Sequence, residues 1–264
     1  MSLVALAPAV YAQSLGIEGE EHASVGIYIK DVQADTMVVA RDISRNVTPA
    51  SVTKALTSAA ALTELGAEWR FETPVELVGE PEITDSVFGG ALYVRGVGDP
   101  TLESEQFADY KGFCDSVAVA LKRFGINKVN GGLVIVDDMV EDGPVANWEI
   151  DDVAWSYAPG IHAVNFRDNV FRLTVRTGAT TPFVPDLKVT KAVDSAVGND
   201  QVRGIWSDRL WVFTDDPKRK SWVVNSTVPD PAAVLRHELS ETLRRNGIVL
   251  GDNKISESTT ATRI

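Results

Sequence analysis

The 264-residue sequence predicts a mixed α/β protein, and three features of the chain support that fold class. Alternating apolar and polar residues close to the N-terminus are typical of a β-hairpin. Further along, a strand-like, a helix-like and a second strand-like segment follow one another with the spacing of a βαβ unit. Between that unit and a later helix lies a section rich in tryptophan, valine and turn residues, which favours mostly short antiparallel strands.

The composition excludes several classes of function. With 44% hydrophobic and 23% charged residues, the chain has the balance of a folded globular protein. A formal net charge of −12 repels polyanions, so we expect no nucleic-acid partner, and no apolar tract is long enough to predict a membrane span. Cys114 is the only cysteine, and His22, His162 and His237 lie far apart, so we expect no disulfide, no metal site and no cofactor.

The first apolar tract, from Leu3 to Ala12, has two interpretations. It is too short to cross a bilayer and has no basic residue before it. It could be the remainder of a secretory signal, or an amphipathic first helix. We favour the helix and leave both open.

A hairpin and a helix are predicted next. Residues Ala23–Val32 (ASVGIYIKDV) alternate in polarity, and DTMVVARDI follows after the polar link QAD, which together predict two paired strands. Thr48 can cap a helix whose first position is Pro49, and the apolar run continues to Gly66, so we expect a helix of about four turns. Since it has no continuous polar face, we expect this helix to be buried on most sides.

Two strand and helix combinations follow. GALYVRGVGDP predicts a strand that ends in a glycine turn, and residues Glu103 to Phe124 predict a helix. GINKVNGGLVIVDD then predicts a second strand, parallel to the first. Later, Asp230 and Pro231 predict the start of another helix and Gly247 its end, before the strand-like GIVLGD.

The RGVGDP segment could be a nucleotide-binding loop or a turn. Gly-x-Gly after a strand resembles a nucleotide-binding loop, but Pro100 follows at once and Thr101 stands where the third glycine would be. We therefore predict that Asp99 and the two glycines form a turn.

Ser51 and Lys54 are the candidate catalytic residues. At positions i and i+3 of a helix their side chains share one face, about a turn apart. A free lysine has a pKa of about 10.4 and stays protonated at neutral pH, but burial lowers such a value by up to about 3–5 units. We therefore expect Lys54 to be kept out of water as a neutral base that takes the proton of Ser51. Ser-x-x-Lys alone is more often a helix start with a surface lysine.

The surrounding sequence resembles one family. The stretch from Ala23 to Thr73, which contains TPASVTK, an Ala-rich run and an Arg-Phe pair, is similar to the start of the D-alanyl-D-alanine carboxypeptidase/endopeptidase family, the class C low-molecular-mass penicillin-binding proteins. LYVRGVGDPTL, GGLVIVDD and YAPGIHAVNFRDNVFRLTV resemble later segments of the same family. The resemblance covers nearly the whole chain.

The resemblance implies a fold and a function. Residues 1–78 would be the N-terminal part of a penicillin-binding, β-lactamase-like serine hydrolase domain. Residues 79–150 together with 226–264 would form an α/β insertion domain, and residues 151–225 would form a mostly-β insertion subdomain. Ser51 would be the acylated nucleophile and Lys54 the general base. The implied substrate is a peptidoglycan stem peptide ending in D-Ala-D-Ala, the implied inhibitors are β-lactam antibiotics, and the implied location is the periplasm or the extracytoplasmic cell envelope.

Two other motifs of the family, Ser-x-Asn and Lys-Thr-Gly, are absent from this chain. Ser44-Arg45-Asn46 precedes the nucleophile and Arg176-Thr177-Gly178 falls in an implied insertion, so we interpret both as chance matches. Losing oxyanion donors from a second element costs on the order of 10²–10³ in rate. We therefore hypothesise that the chain is the N-terminal portion of a longer enzyme.

Two alternatives of other classes remain. The chain could be a non-catalytic envelope protein or fragment that binds muropeptide or a partner through its Trp-rich middle section. It could also be a β-lactamase or an esterase on the same scaffold, which the inserted region makes less favoured.

Overall fold

The structure is a computed structural model of the chain. It describes residues 16, 18–80, 82–107, 112–138, 145, 148–194, 201–204, 209–220, 222–251 and 261–263, the last three as backbone only. The tract from Leu3 to Ala12 lies outside these described residues. The chain forms two compact units, Met1–Trp69 and Arg70–Ile264.

The first unit contains the predicted hairpin. Strands β1 (Ile27–Asp31) and β2 (Thr36–Arg41) pair antiparallel. The Asp31 carboxylate accepts hydrogen bonds from the backbone N–H groups of Gln33 and Ala34, both at 2.9 Å, and so stabilises the turn between the strands. The hairpin prediction is confirmed.

The helix that follows differs from the prediction at its start. Residues Ala50–Val52 form a 3-10 turn, and helix α1 (Thr53–Leu65) continues from it. Pro49, rather than Thr48, takes the position before the turn, and no side chain makes a capping hydrogen bond there, so the predicted Thr48 cap is wrong. Gly66, with a φ of 83°, ends the helix as expected.

Helix α1 is exposed, and the prediction that it is buried on most sides is wrong for the described chain. Each of its residues is exposed, including Leu56 at 72% and Leu62 at 61%. The physical reason is the small size of the first unit, in which Ala40 is the one buried residue among those described. A two-stranded hairpin offers too little apolar surface to cover an apolar helix.

The described residues of the second unit form two four-stranded sheets and two three-stranded sheets. Its strands are β3 (Val75–Val78), β4 (Ile83–Thr84), β5 (Val87–Phe88), β6 (Ala91–Arg95), β7 (Lys128–Val129), β8 (Leu133–Val136), β9 (Val170–Thr174), β10 (Ala179–Thr181), β11 (Lys188–Val193), β12 (Gln201–Gly204), β13 (Arg209–Thr214), β14 (Val223–Thr227), β15 (Val249–Leu250) and β16 (Ala261–Arg263). The strand orders are β16-β3-β6-β8, β15-β7-β5-β4, β10-β9-β14 and β11-β13-β12.

The predicted βαβ unit is present. Strands β6 and β8 pair in parallel, and helix α2 (Phe113–Arg123) lies between them in the chain. The helix begins later than the predicted Glu103. Glu103 has a φ of 53°, and its carboxylate accepts hydrogen bonds from the N–H groups of Gly112, at 3.0 Å, and Cys114, at 3.4 Å. Glu103 therefore caps the first turn of α2 from outside the helix.

Helix α3 (Pro231–Arg245) confirms the second helix prediction. The Asp230 carboxylate accepts a hydrogen bond from Ala233 N–H at 2.8 Å, Pro231 is the first helical residue, and Gly247 follows the end with a φ of 73°. Strand β15 then pairs in parallel with β7.

The section rich in tryptophan and valine forms the two three-stranded sheets. Strands β10, β9 and β14 are antiparallel, as predicted, and so are β12 and β13. Strands β11 and β13 pair in parallel, within a section predicted to be mostly antiparallel. The mixed α/β fold class is confirmed, and one apolar core connects helices α2 and α3 with strands of all four sheets. The expected domain limits stay a prediction. Among the described residues no helix has the length and apolar character needed to cross a bilayer.

Candidate active site

Ser51 and Lys54 lie side by side, at the junction between the 3-10 turn and helix α1. The Nζ of Lys54 donates a hydrogen bond to the Oγ of Ser51, at a distance of 3.1 Å. This distance is within the reach required of a nucleophile and its base. The two side chains therefore lie next to each other, as predicted.

The hydrogen bond between them can carry a proton in either direction. With a charged amine the nitrogen donates, whereas with a neutral amine the hydroxyl donates to the nitrogen lone pair. Acyl transfer needs the second arrangement, in which the hydroxyl proton moves to the amine as the oxygen attacks. The heavy-atom geometry of Ser51 and Lys54 serves both.

Ser51 has its hydroxyl directed at an amine, whereas the hydroxyls of Thr57 and Thr63 in helix α1 bond the backbone. Thr63 donates to the carbonyl of Ala59 at 2.8 Å, which is the usual arrangement of a threonine within a helix. The hydroxyl of Ser51 makes no capping bond to the turn it occupies. It is thus available for chemistry rather than used for local structure.

Both residues are exposed, in contrast to the expected burial. Ser51 and Lys54 lie at the surface of the described chain, as does the remainder of α1. The expectation that Lys54 is kept out of water is therefore not met by the described residues. The reason is the same lack of a covering layer that leaves α1 exposed.

The two chance matches to the family's other motifs have local structural roles. Ser44 to Asn46 follow strand β2, and Arg45 donates a hydrogen bond to the Ser24 hydroxyl at 3.2 Å. Thr177 and Gly178 form the turn between β9 and β10, where Gly178 N–H donates to Thr174 C=O at 2.9 Å. Turn formation accounts for both segments.

The RGVGDP segment is a turn held by a buried carboxylate, as predicted. Asp99 accepts hydrogen bonds from the N–H of Thr101 at 2.9 Å and from its hydroxyl at 2.6 Å. Gly98 has a φ of 75° and donates its N–H to the carbonyl of Ala163 at 2.7 Å. At Gly96 a Cβ atom would lie 2.5 Å from the carbonyl carbon of Ala163, so only glycine fits.

Cys114 is a core residue. It is 6% exposed on helix α2. Burial raises the pKa of its thiol to about 12, and the negative charges of Glu103 and Glu238 act in the same direction. Such a thiol is a poor nucleophile.

Two tryptophans of the Trp-rich section contribute to the core. Trp155 and Trp222 are partly buried and pack against the core. Trp155 and Tyr157 stack, with ring centroids 6.2 Å apart. These contacts explain the aromatic residues by packing. No group of three or more potential metal-ligating side chains occurs within the residues that are described.

A polar cavity in the second unit was not predicted from the sequence. Its lining comes from segments far apart in the chain, among them Glu105, Arg167, Arg172 and Asn225. The exposed arginine in the otherwise apolar strand β9 is the signal that could have indicated it.

Solved structures share this fold. A crystal structure of penicillin binding protein 4 (dacB) from Haemophilus influenzae is similar with a TM-score of 0.66 and 21% identity, covering 90% of this chain and 56% of that one. A second crystal structure of that protein, in complex with a novel β-lactam, has a TM-score of 0.60 and 20% identity, covering 89% of this chain and 54% of that one. These similarities confirm the predicted fold.

Sequence relatives lead to the same family. A D-alanyl-D-alanine carboxypeptidase from Actinomadura sp. (strain R39) is 29% identical over 258 residues, covering 88% of this chain and 46% of the relative. A D-alanyl-D-alanine carboxypeptidase DacB from Haemophilus influenzae is 28% identical over 152 residues, covering 57% of this chain and 30% of the relative. The chain thus spans less than half the length of these relatives.

The family match extends over almost the entire sequence. Residues 12–262 match the family described as D-Ala-D-Ala carboxypeptidase 3 (S13). That range includes the Ser51–Lys54 pair, the RGVGDP turn and helix α3. The resemblance seen in the sequence is confirmed, and the chain belongs to the D-Ala-D-Ala carboxypeptidase 3 (S13) family.

Proposed function

We propose that this chain supplies the nucleophile and base of a serine-type D-alanyl-D-alanine carboxypeptidase/endopeptidase that acts on peptidoglycan peptides. The observation that carries the proposal is the 3.1 Å contact between Lys54 Nζ and Ser51 Oγ in a chain of the S13 family. The substrate is a stem peptide ending in D-Ala-D-Ala, and β-lactam antibiotics acylate the same serine. The place of action is the extracytoplasmic cell envelope, in the periplasm or its equivalent.

The proposed reaction is an acyl transfer in two stages. The Oγ of Ser51 bonds to the carbonyl carbon of the penultimate D-Ala while its proton passes to the Nζ of Lys54. The C–N bond then breaks, and the terminal D-Ala leaves with its nitrogen taking that proton. Water next attacks the ester, a proton returns through the base, and Ser51 is restored. An endopeptidase cut follows the same steps with a longer leaving group.

Two requirements of this reaction are not supplied by the described residues around Ser51. A neutral amine at Lys54 needs a cover that excludes water, and both side chains are exposed. The oxyanion needs donors from a second element. We propose that residues outside this sequence provide both, in keeping with relatives about twice its length. The expected division into residues 1–78, 79–150 with 226–264, and 151–225 is part of the same proposal.

Labelling with a fluorescent penicillin tests the proposal. The protein encoded by the complete gene should form a stable covalent label, and mass spectrometry of a digest should place it on Ser51. The variant Ser51→Ala should lose the label, because it lacks the hydroxyl proposed to form the ester. Lys54→Ala should slow labelling by about 10²-fold or more, the size of a general-base contribution.

Ser58→Ala is the matched control, since Ser58 is an exposed serine of the same helix two turns further on. It should label at the original rate. Label that persists in Ser51→Ala would contradict the proposal. Absence of label on the complete protein would favour a non-catalytic binding protein, and rapid release of the label would favour a β-lactamase.

A further inference from the structure

The exposed face of the sheet β10-β9-β14 forms the floor of a polar cavity in the second unit. Arg172 on β9 lies opposite Thr181 on β10 and opposite Asn225 on β14. Residues paired in this way across a sheet direct their side chains to the same face. All three line a cavity of about 260 Å³. The cavity is slightly smaller than typical sites for drug-sized molecules, about 300–1,000 Å³, so its ligand is small.

Arg172 and Asn225 give this cavity a positive charge and several hydrogen-bond donors. The guanidinium of Arg172 and the amide of Asn225 have no hydrogen-bond or ion-pair partner among the described residues of the protein. A guanidinium with an amide and a hydroxyl beside it matches a carboxylate, because it offers several N–H donors in one plane.

The lining of the cavity also carries carboxylates. Asp168 accepts hydrogen bonds from the hydroxyl of Ser104 and, at 2.9 Å, from the backbone N–H of Glu105. The Glu105 side chain is exposed at the cavity. These two negative charges disfavour a ligand that is an anion throughout, and they favour an amine or an amide N–H beside them.

Arg167, which also lines the cavity, does not cancel these charges. Its guanidinium is bound to both carboxylate oxygens of Glu238 on helix α3, with N–O distances of 3.0, 3.0 and 2.8 Å. Its charge is thus already paired within the protein. Of the charged side chains described around the cavity, Arg172 is the cation without an ion-pair partner, and Asp168 and Glu105 are the carboxylates.

Asp168 is held in place by an unusual backbone. Arg167, Asp168 and Asn169 have φ values of 52°, 58° and 52°, a left-handed conformation that residues other than glycine rarely adopt. The buried Asn169 fixes this turn, since its side chain accepts from Phe166 N–H at 3.0 Å and donates to Asn165 at 2.7 Å. The position of the Asp168 carboxylate is therefore set before any ligand binds.

We propose that this cavity binds an amino acid or a very short peptide as a dipolar ligand. Its carboxylate lies on Arg172, with Asn225 and Thr181 as further donors. Its amine or first amide N–H lies at Asp168 and Glu105. The site is separate in the chain from the Ser51–Lys54 pair, and it requires no covalent step. Its occupancy does not depend on the function proposed for Ser51.

Titration followed by NMR tests the site. The full 264-residue chain carrying Ser51→Ala is titrated with D-alanyl-D-alanine, with its C-terminal amide and with its N-acetyl form. Ser51→Ala removes acyl transfer from the measurement. We expect the free dipeptide to shift the backbone amide signals of Thr181 and Asn225. The C-terminal amide should bind about tenfold more weakly or worse, as expected for loss of a charge-assisted hydrogen bond. The N-acetyl form should also bind more weakly, because it lacks the ammonium charge.

Variants of Arg172 supply the second arm. Arg172→Ala should weaken binding of the dipeptide at least about tenfold, and Arg172→Lys should restore part of it. Arg176→Ala is the matched control, an exposed arginine on the turn after the same strand that does not line the cavity. Arg176→Ala should bind the dipeptide with the affinity of the parent protein. The circular dichroism spectra and the midpoints of thermal unfolding should agree between the two alanine variants.

Three results would overturn the proposal. One is the absence of shifts at Thr181 and Asn225 with the dipeptide. Another is equal affinity for the acid and the C-terminal amide. The third is an affinity that Arg172→Ala leaves unchanged. None of these results bears on penicillin labelling of Ser51, so failure of this site and failure of the proposed enzyme activity are distinguishable.

Discussion

Asp99 is the residue on which we expect the RGVGDP turn to depend most. It is 6% exposed, and its carboxylate accepts from Thr101 N–H at 2.9 Å, from the Thr101 hydroxyl at 2.6 Å and from the Thr73 hydroxyl at 3.2 Å. Asp99→Ala leaves three donors without their acceptor. Hydrogen bonds to charged groups contribute about 1.5–3 kcal/mol each, and relief of the buried charge offsets part of the total. We expect a loss of about 3 kcal/mol, measured by urea unfolding with tryptophan fluorescence.

Asp216→Ala is the control for this measurement. Its carboxylate accepts from Lys218 N–H at 2.8 Å in an exposed turn, where water can replace it. We expect that variant to lose less than about 1 kcal/mol. Asp99→Asn, which keeps one oxygen for Thr101, should fall between the two. If Asp99→Ala lost no more stability than Asp216→Ala, the structural role assigned to the buried carboxylate would be refuted.

Two further predictions follow from buried positions. Because burial raises the pKa of the Cys114 thiol to about 12, this thiol should react with Ellman's reagent at pH 8 only after unfolding, and rapid reaction of the native protein would contradict the assignment. Since the folded pKa exceeds the ordinary 9.0, the unfolding free energy should fall as pH rises from 9 towards 12, and this fall should be smaller in Cys114→Ala. Gly96→Ala should lower the unfolding free energy by about 1–3 kcal/mol in urea, because the added Cβ would lie 2.5 Å from the Ala163 backbone. Gly89→Ala, which has open space around it, is the control and should leave the unfolding free energy unchanged. Equal effects of the two substitutions would show that the close approach at Gly96 does not limit the side chain there.

Local patterns predicted the elements whose signals lie within a few residues. The alternation in the hairpin, the Asp230 cap with Pro231 behind it, and the glycines that end α1 and α3 all depend on neighbouring residues, and the structure confirms them. The Ser51–Lys54 contact belongs to the same group, because i and i+3 spacing on a helix is itself local geometry. Membership of the family was also visible in the sequence, from several short segments in a fixed order.

Tertiary structure decided the features that depend on residues far apart in the chain. Helix α2 begins at Phe113 because Glu103 caps it from outside, and β11 pairs with β13 in parallel, which no local pattern encodes. Exposure of α1 depends on what packs over it, and the residues of the first unit are too few to do so. The cavity around Arg172 exists only because three strands bring Thr181 and Asn225 beside it. Sequence patterns report on neighbours along the chain, whereas burial, strand pairing and cavities arise from contacts between distant segments.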